Sequence, residues 1–326
     1  MWEATFEDLV RTSREKGLDA RAFAQRRSEF EILFHYVPIP AGRSLEVGCG
    51  GGLLTALLAR EGKGAVGVDM AAPDDTTHSR GMQAPIRLRQ ALGIPGLHFL
   101  GCSAEALAFA DESFDLVIAS YVLEHVGDRP EAIREMKRVA SKNGLIVALV
   151  PASMERVYAP FNYYPAMVSG IGRGAARFAA RRLGIARRST PAAVAPRSGR
   201  PIGVSTDARR PEGMLDKLRK FFRVYHPTFP FPRPHGLYRS SSEELRAHRY
   251  GRWKGLFERE GLCVERAFAT RIAPTCLLEM ISDGADRAVQ GRLAGLVRRR
   301  GEGRWTRAFA YSYCFVLRKP VSGAAA

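Results

Sequence analysis

The chain has 326 residues, of which 46% are hydrophobic and 25% are charged. That balance is typical of a globular protein with a full hydrophobic core, and no apolar run reaches the roughly 18 residues that a membrane-spanning helix needs. The formal net charge of +17 favours anionic partners such as nucleic acid, acidic lipid head groups or phosphorylated substrates, although an arginine-rich composition alone can also produce it. The first residues lack the basic-then-apolar pattern of a signal peptide, which predicts a cytoplasmic location.

Five cysteines are spread along the chain without any Cys-x-x-Cys pair. An odd number at such spacings argues against a zinc site and against a disulfide framework, so we expect no metal. The cysteines are Cys49, Cys102, Cys263, Cys276 and Cys314.

Residues 1–42 are predicted to form an N-terminal helical cap. Apolar residues recur there at helical spacing in two segments, and each set falls on one helix face. The two sets are Phe6, Leu9 and Val10, then Phe23, Phe30, Leu33 and Phe34. Pro38 and Pro40 end the helical pattern.

Residues 43–151 alternate between short apolar strands and helices. Strands are predicted at residues 44–48, 65–69, 97–100, 115–120 and 145–150. Asp128 is a good N-cap for the helix before the last strand, with Pro130 in its first turn, and Asn143-Gly144 is predicted as the turn that follows this helix. Alternation with short loops predicts an α/β fold with a doubly wound, mostly parallel sheet.

A glycine-rich turn follows the first predicted strand. Gly48, Gly50 and Gly52 are spaced as G-x-G-x-G, whereas the third glycine of the dinucleotide fingerprint would fall at Leu53. No lysine follows, so the turn is not a P-loop either. Such a turn favours a cofactor without phosphates, and the neighbouring acid Glu46 favours a cationic amine. S-adenosylmethionine (SAM) carries no phosphate and has a cationic amine.

The second predicted strand ends in an acid, Asp69, about twenty residues after the glycine turn. A carboxylate at this point can accept hydrogen bonds from both ribose hydroxyls of an adenosine. The alternative interpretation is that Asp69 is a helix N-cap or a turn residue.

Short motifs in this part of the chain resemble those of class I SAM-dependent methyltransferases, and more narrowly the small-molecule group often called methyltransferase type 11. They lie between residues 43 and 151, which is under half of the chain. The resemblance implies a methyltransferase with a Rossmann-like, seven-stranded sheet closed by an antiparallel hairpin. The motifs are Glu46–Gly52, Asp69-Met70, Ala104-Glu105, Phe114–Val117 and Leu123–Val126.

The resemblance also implies which residues hold SAM, and that the N-terminal extension lies over it. Ser103 stands where the family usually has an aspartate that accepts a hydrogen bond from the adenine amino group, and a hydroxyl accepts that bond without charge assistance. The candidate cofactor-binding residues are Glu46, Gly48, Cys49, Gly50, Gly52, Asp69, Met70, Ser103, Ala104, Glu105, Ser120 and Tyr121.

Residues 152–240 are rich in proline, glycine and arginine and have aromatic residues near both ends. We interpret them as a partly flexible insertion that binds the substrate or a membrane surface. Residues 241–320 are predicted to complete the core, with a capping box from Ser241 to Glu244 followed by a helix. Two strand candidates, residues 263–272 and 308–317, would form the antiparallel hairpin.

Two histidines are candidate general bases. His125 follows the fourth predicted strand and has a suitable unperturbed pKa, but in the resembling family this Glu-His pair occurs with many substrates, which favours a general role in the cofactor pocket. His235 lies where the insertion rejoins the core, and it could equally be a turn residue whose side chain bonds to the backbone.

Three functions fit the sequence. The preferred one is methylation, at oxygen, of a small-molecule or lipid-linked glycan acceptor, by an enzyme located in the cytoplasm or peripherally at an anionic membrane surface. The second is an RNA-modifying methyltransferase, although Ser120–Glu124 lacks the Asn/Asp-Pro-Pro-Tyr/Phe run usual for nucleic-acid amine methylation. The third is a protein that has the fold but only binds partners.

Overall fold

The structure is a computed structural model that describes residues 2–74, 79–158, 234, 237–272, 295, 297 and 299–320. The helices are α1 Trp2–Glu15, α2 Arg21–Gln25, α3 Arg27–Tyr36, α4 Leu53–Glu61, α5 Gln83–Leu92, α6 Arg129–Val139, α7 Ser241–Ala247, α8 Tyr250–Arg259 and α9 Arg304–Ala308. The strands are β1 Ser44–Val47, β2 Ala65–Asp69, β3 Pro73–Asp74, β4 Ser79–Arg80, β5 Leu97–Gly101, β6 Phe114–Ser120, β7 Ala140–Pro151, β8 Cys263–Ile272 and β9 Ala310–Arg318.

Seven of the strands form one sheet in the order β5-β2-β1-β6-β7-β9-β8. The first five run parallel, while β9 lies antiparallel between β7 and β8. The predicted doubly wound, mostly parallel seven-stranded sheet is therefore confirmed. The carboxyl ends of the parallel strands meet at one edge of this sheet, which we call the carboxyl edge.

Helices cover both faces of the sheet, so its central strands are mostly buried and carry apolar residues on both faces. On β6, Leu116 and Ile118 belong to the cluster that includes α1, α3 and α4, whereas Val117 and Ala119 belong to the cluster that includes α6 and α8. The N-terminal helices thus pack on one sheet face through Phe6, Phe30, Leu33 and their neighbours. The division into a cap, a core, an insertion and a C-terminal part stays a prediction.

Several local expectations can be compared with the structure. Asp128 is the N-cap of α6 and accepts a hydrogen bond from Glu131 N, as predicted. The predicted turn at Asn143-Gly144 is wrong, because β7 begins at Ala140 and contains both residues. The pairing of β7 with β6 shifts register at this point.

The predicted capping box is wrong by one residue. Ser240 is the N-cap of α7 and accepts from Glu243 N, whereas Glu244 is buried in an ion pair with Arg156. The insertion between residues 159 and 233 lies outside the described residues. None of the helices in the described part of the chain has the length and apolar character needed to cross a bilayer.

Candidate active site

The loop after β1 is built from glycines in the left-handed region. Gly48, Gly50 and Gly52 have φ values of 71°, 51° and 80°. A Cβ on Gly48 would lie 2.1 Å from Val122 and one on Gly52 would lie 2.6 Å from Phe99, so neither position admits a side chain without rearrangement. A Cβ on Gly50 or Gly51 would meet no atom within 4 Å. The loop therefore presents bare backbone to open space in front of α4.

Asp69 lies at the end of β2, directly beside this loop. One carboxylate oxygen accepts a hydrogen bond from Gly50 N and the other accepts from Met70 N, both at 2.8 Å. A carboxylate oxygen has two lone pairs and can accept more than one hydrogen bond. The geometry suits a ligand with two adjacent hydroxyl groups.

Glu46 lies in the interior of the site, with 3% of its surface exposed. Burial raises the pKa of its carboxyl to about 8, against the lowering effects of the Thr55 hydroxyl bond and the Arg26 charge; the Asp69 charge raises it further. In the free protein near neutral pH this carboxyl is therefore mostly protonated. A bound cation beside it would favour the carboxylate and release the proton.

We expect this linkage to appear in the pH dependence of ligand binding. If the ammonium group of S-adenosylhomocysteine (SAH) lies beside Glu46, the association constant should rise by up to about tenfold per pH unit between about pH 6 and 8 and level off above that. Calorimetry in two buffers of different ionisation enthalpy measures the released proton directly. The Glu46→Gln variant should lose the slope, and an unchanged slope in that variant would contradict the assignment.

The N-terminal segment that contains α1 to α3 contributes one wall of the site. Asp19, Phe23 and Arg26 line the same cavity as the glycine loop, and its volume is about 300 Å³. Cavities of this size hold small-molecule ligands or cofactors. The N-terminal cap thus forms part of the wall of this cavity.

Arg26 connects the cap to the end of β6. Its guanidinium donates to Glu29 at 2.9 Å and to the Ser120 hydroxyl at 2.6 Å, and it lies 5.2 Å above the ring of Tyr121. Tyr121 itself has a φ of 55°, which is uncommon for a residue with a side chain. The strained backbone places this ring in the cavity wall next to the cation.

His125 lies on the wall formed by the loop after β6. Its Nε2 atom is 3.9 Å from Glu124 Oε1, and 19% of its side chain is exposed. The neighbouring Arg129 donates to the backbone oxygens of Leu123 and Glu124 and to the hydroxyl of Tyr238. Arg129 therefore fixes the backbone that carries His125 and joins it to the segment before α7.

The structure brings together most of the residues proposed from the sequence. Met70, Ser103, Ala104 and Glu105 do not line the cavity, although Cys102 N donates to Asp69 O and so places their loop at the same sheet edge. His235 lies outside the described residues. The proposed residues that line the cavity are Glu46, Gly48, Cys49, Gly50, Gly52, Asp69, Ser120, Tyr121 and His125.

Residues that were not proposed for the site from the sequence also line the cavity, above all Asp19, Phe23 and Arg26. The resemblance implied that an N-terminal extension covers the cofactor, but nothing in the pair Arg26-Arg27 shows which arginine points inward. Cys49, one of the proposed cofactor-binding residues, lines the cavity. Burial, together with nearby Glu46 and Asp69, holds the pKa of its thiol well above the usual value, so the reactive thiolate is disfavoured.

The residues present fit SAM. The bare loop backbone at Gly50 and Gly51 leaves room for the methionine part, and the buried carboxyl of Glu46 gains from a nearby ammonium group. Asp69 is oriented to accept the ribose hydroxyls, and Arg26 is a cation in the cavity wall that can bind a carboxylate.

Comparison with known proteins agrees with this geometry. The model of the family described as "Methyltransferase domain" matches residues 45–148. The chain is 37% identical over 111 residues to the Ubiquinone biosynthesis O-methyltransferase of Azorhizobium caulinodans, a match that covers 34% of this chain and 40% of that protein. It is 36% identical over 136 residues to the protein of the same name from Parvibaculum lavamentivorans, covering 42% and 46%. The chain thus spans less than half the length of these curated relatives.

Among solved structures, an S-adenosylmethionine dependent methyltransferase from Mesorhizobium loti aligns with 90% of this chain and 98% of its own, at 16% identity and a TM-score of 0.46. The sheet order and the glycine loop beside Glu46 and Asp69 are those of a class I SAM-dependent methyltransferase domain. Residues 45–148 match the Methyltransferase domain family, and SAM is the cofactor that this match implies.

Proposed function

We propose that the protein transfers the methyl group of SAM to a hydroxyl oxygen of a small-molecule acceptor. The observation that carries this proposal is a single cavity that holds the glycine loop, Glu46 and Asp69 together with His125. The names of the curated relatives, which are O-methyltransferases, support oxygen as the acceptor atom. A lipid-linked acceptor, including a lipid-linked glycan, is the finer form of this proposal.

Such a reaction requires alignment of the reactants, exclusion of water and removal of the acceptor proton. SAM supplies a methyl group that is already activated, so alignment and exclusion of water are the main requirements. Water is excluded by the side chains that line the cavity, among them Arg26, Phe23 and Tyr121. His125 removes the proton that the acceptor hydroxyl loses, in a position held by the backbone bonds of Arg129.

The test is methyl transfer from labelled SAM to a panel of acceptors: a phenol, a catechol, an aliphatic alcohol, a sugar and an oligoribonucleotide. Methylation of one of the small hydroxyl compounds supports the proposal. Labelling of the oligoribonucleotide alone would favour an RNA-modifying enzyme. Tight binding of SAM with no transfer to any member would favour a protein that only binds partners.

His125→Asn is expected to lower kcat on the best acceptor by about 100-fold or more while changing SAH affinity less than threefold, because a general base acts on the acceptor proton. Single-turnover kinetics and calorimetry measure the two effects. Tyr36→Phe, a change at a half-buried ring away from the cavity, serves as the control. Equal losses of SAH affinity and rate would instead make His125 a wall residue of the cofactor pocket.

A further inference from the structure

Two large aromatic rings are exposed together on the short helix α9 and the residue after it. Trp305 is 80% exposed and Phe309 is 47% exposed. Their rings are nearly parallel, at an interplanar angle of 5° and a centroid separation of 6.5 Å. They therefore form one apolar wedge rather than two separate surface residues.

A hydrogen-bonded turn at a corner of the chain lies at the base of this wedge. The Thr306 hydroxyl donates to the backbone oxygen of Arg300 at 2.5 Å and to that of Gly303 at 2.8 Å. Gly303 N also donates to Arg300 O at 2.8 Å. These bonds tie the backbone of Arg300 and Gly303 to the first turn of α9, from which Trp305 projects.

The corner is strongly basic. Arg299, Arg300 and Arg304 are exposed, and Arg307 is half-buried beside the ring of Tyr250. The one acidic residue between positions 299 and 309 is Glu302, which pairs with Arg266 at 3.7 Å. We call Arg299, Arg300, Arg304, Trp305 and Phe309 the basic aromatic corner.

The corner lies at the same sheet edge as the candidate active site. β9 begins directly after Phe309, and its residue Ser312 pairs with Pro151 at the carboxyl end of β7. The glycine loop and the loop that carries His125 follow the carboxyl ends of β1 and β6. A surface that contacts the corner would therefore face the edge at which the cavity lies.

We propose that the basic aromatic corner docks the protein on a bilayer that contains anionic phospholipids. Trp is favoured at membrane–water interfaces because one part of its ring is apolar and its N–H is polar. Arginines beside it are attracted to the anionic headgroups. At a centroid separation of 6.5 Å the two rings leave most of Trp305 exposed, so its indole can enter the headgroup region. This docking goes beyond methyl transfer and does not depend on it.

The experiment uses vesicles of phosphatidylcholine and phosphatidylglycerol in equal parts, at low salt. The full chain is expected to sediment with them, and far less with vesicles of phosphatidylcholine alone. Trp305 fluorescence, taken as the difference between the wild-type and Trp305→Phe spectra, should shift to the blue and become protected from acrylamide. High salt should release the protein, because screening weakens the headgroup attraction.

Charge reversal at the corner is the decisive variant. R299E/R300E/R304E should lower the partition coefficient by about 100-fold or more, since each basic residue at an anionic surface contributes about fivefold. The matched control is R43E/K63E/K142E, which makes the same change in net charge at exposed residues near the opposite edge of the sheet. It should retain most of the binding. Thermal melting and SAH affinity of both variants show whether each is folded.

Several outcomes would overturn the proposal. Equal losses in the two charge variants would mean that overall charge alone drives binding. Failure of the folded wild type to sediment with anionic vesicles would exclude docking. An indole at position 305 that is already protected from acrylamide without vesicles would mean that another part of the chain, or a second copy, covers the wedge. Binding of an oligoribonucleotide that needs Trp305, without vesicle binding, would identify RNA as the partner instead.

Discussion

Replacing Asp69 with alanine is expected to weaken SAH binding by about 100-fold or more. The carboxylate is placed to accept hydrogen bonds from two ribose hydroxyls. Each bond to a charged acceptor contributes about 1.5–3 kcal/mol, and we expect a total loss of about 3 kcal/mol of binding free energy. Asp69→Asn should have an intermediate effect, because the amide retains one acceptor oxygen without the charge. Calorimetric titration with SAH measures all three proteins.

Loss of binding must be separated from loss of structure, since Asp69 also accepts bonds from Gly50 N and Met70 N. The control is Asp115→Ala, which removes another aspartate that accepts a backbone bond, in that case from Arg43 N at 2.9 Å. Both alanine variants should melt at similar temperatures without ligand, while only the Asp69 variant loses affinity. An Asp69→Ala protein that binds SAH within threefold of the wild type would remove the basis for the proposed function.

The sequence predicted the parts of this fold that depend on local signals. Four of the five parallel strands fall within one residue of their expected bounds, because short apolar runs bounded by glycines and acids determine them, whereas β7 begins five residues earlier than expected. Asp128 was identifiable as an N-cap because a short polar side chain precedes a proline in the first helical turn. The glycine loop was identifiable because only glycine adopts its backbone conformation readily.

The errors and omissions arise where tertiary contacts override local pattern. Ser240 and Ser241 are both good caps, and the difference is that Glu244 pairs with Arg156, far away in the sequence. Asn143-Gly144 resembles a turn, yet the chain stays extended there beside β6. Arg26 enters the cavity only because α2 and α3 pack over the sheet, which no spacing in the sequence reveals.

The largest effect on stability is expected at Arg156, which is 2% exposed and pairs with Glu244, itself 1% exposed, at 3.3 Å. Arg156 also donates to the Ser241 hydroxyl at 2.7 Å, so it joins the segment after β7 to α7. Arg156→Met removes the positive charge beside the buried carboxylate of Glu244. We expect the free energy of unfolding to fall by about 3–5 kcal/mol, measured by urea denaturation.

Two further variants identify the cause of this loss. R156M/E244M removes both charges and should recover most of the stability, because an apolar pair avoids the cost of the buried carboxylate. Arg134→Met, which breaks exposed pairs with Glu131 and Glu260, should leave the urea midpoint nearly unchanged.

The deficit of Arg156→Met should also depend on pH in a defined direction. Without the arginine, burial of Glu244 disfavours its ionised form, so the carboxylate destabilises the folded state most at high pH. The difference from the wild type should therefore shrink as the pH falls towards the unfolded-state pKa of about 4.3. A loss of unfolding free energy that is constant with pH and persists in R156M/E244M would contradict this cause. It would show that packing of the arginine stem, rather than its charge, holds α7 against the segment after β7.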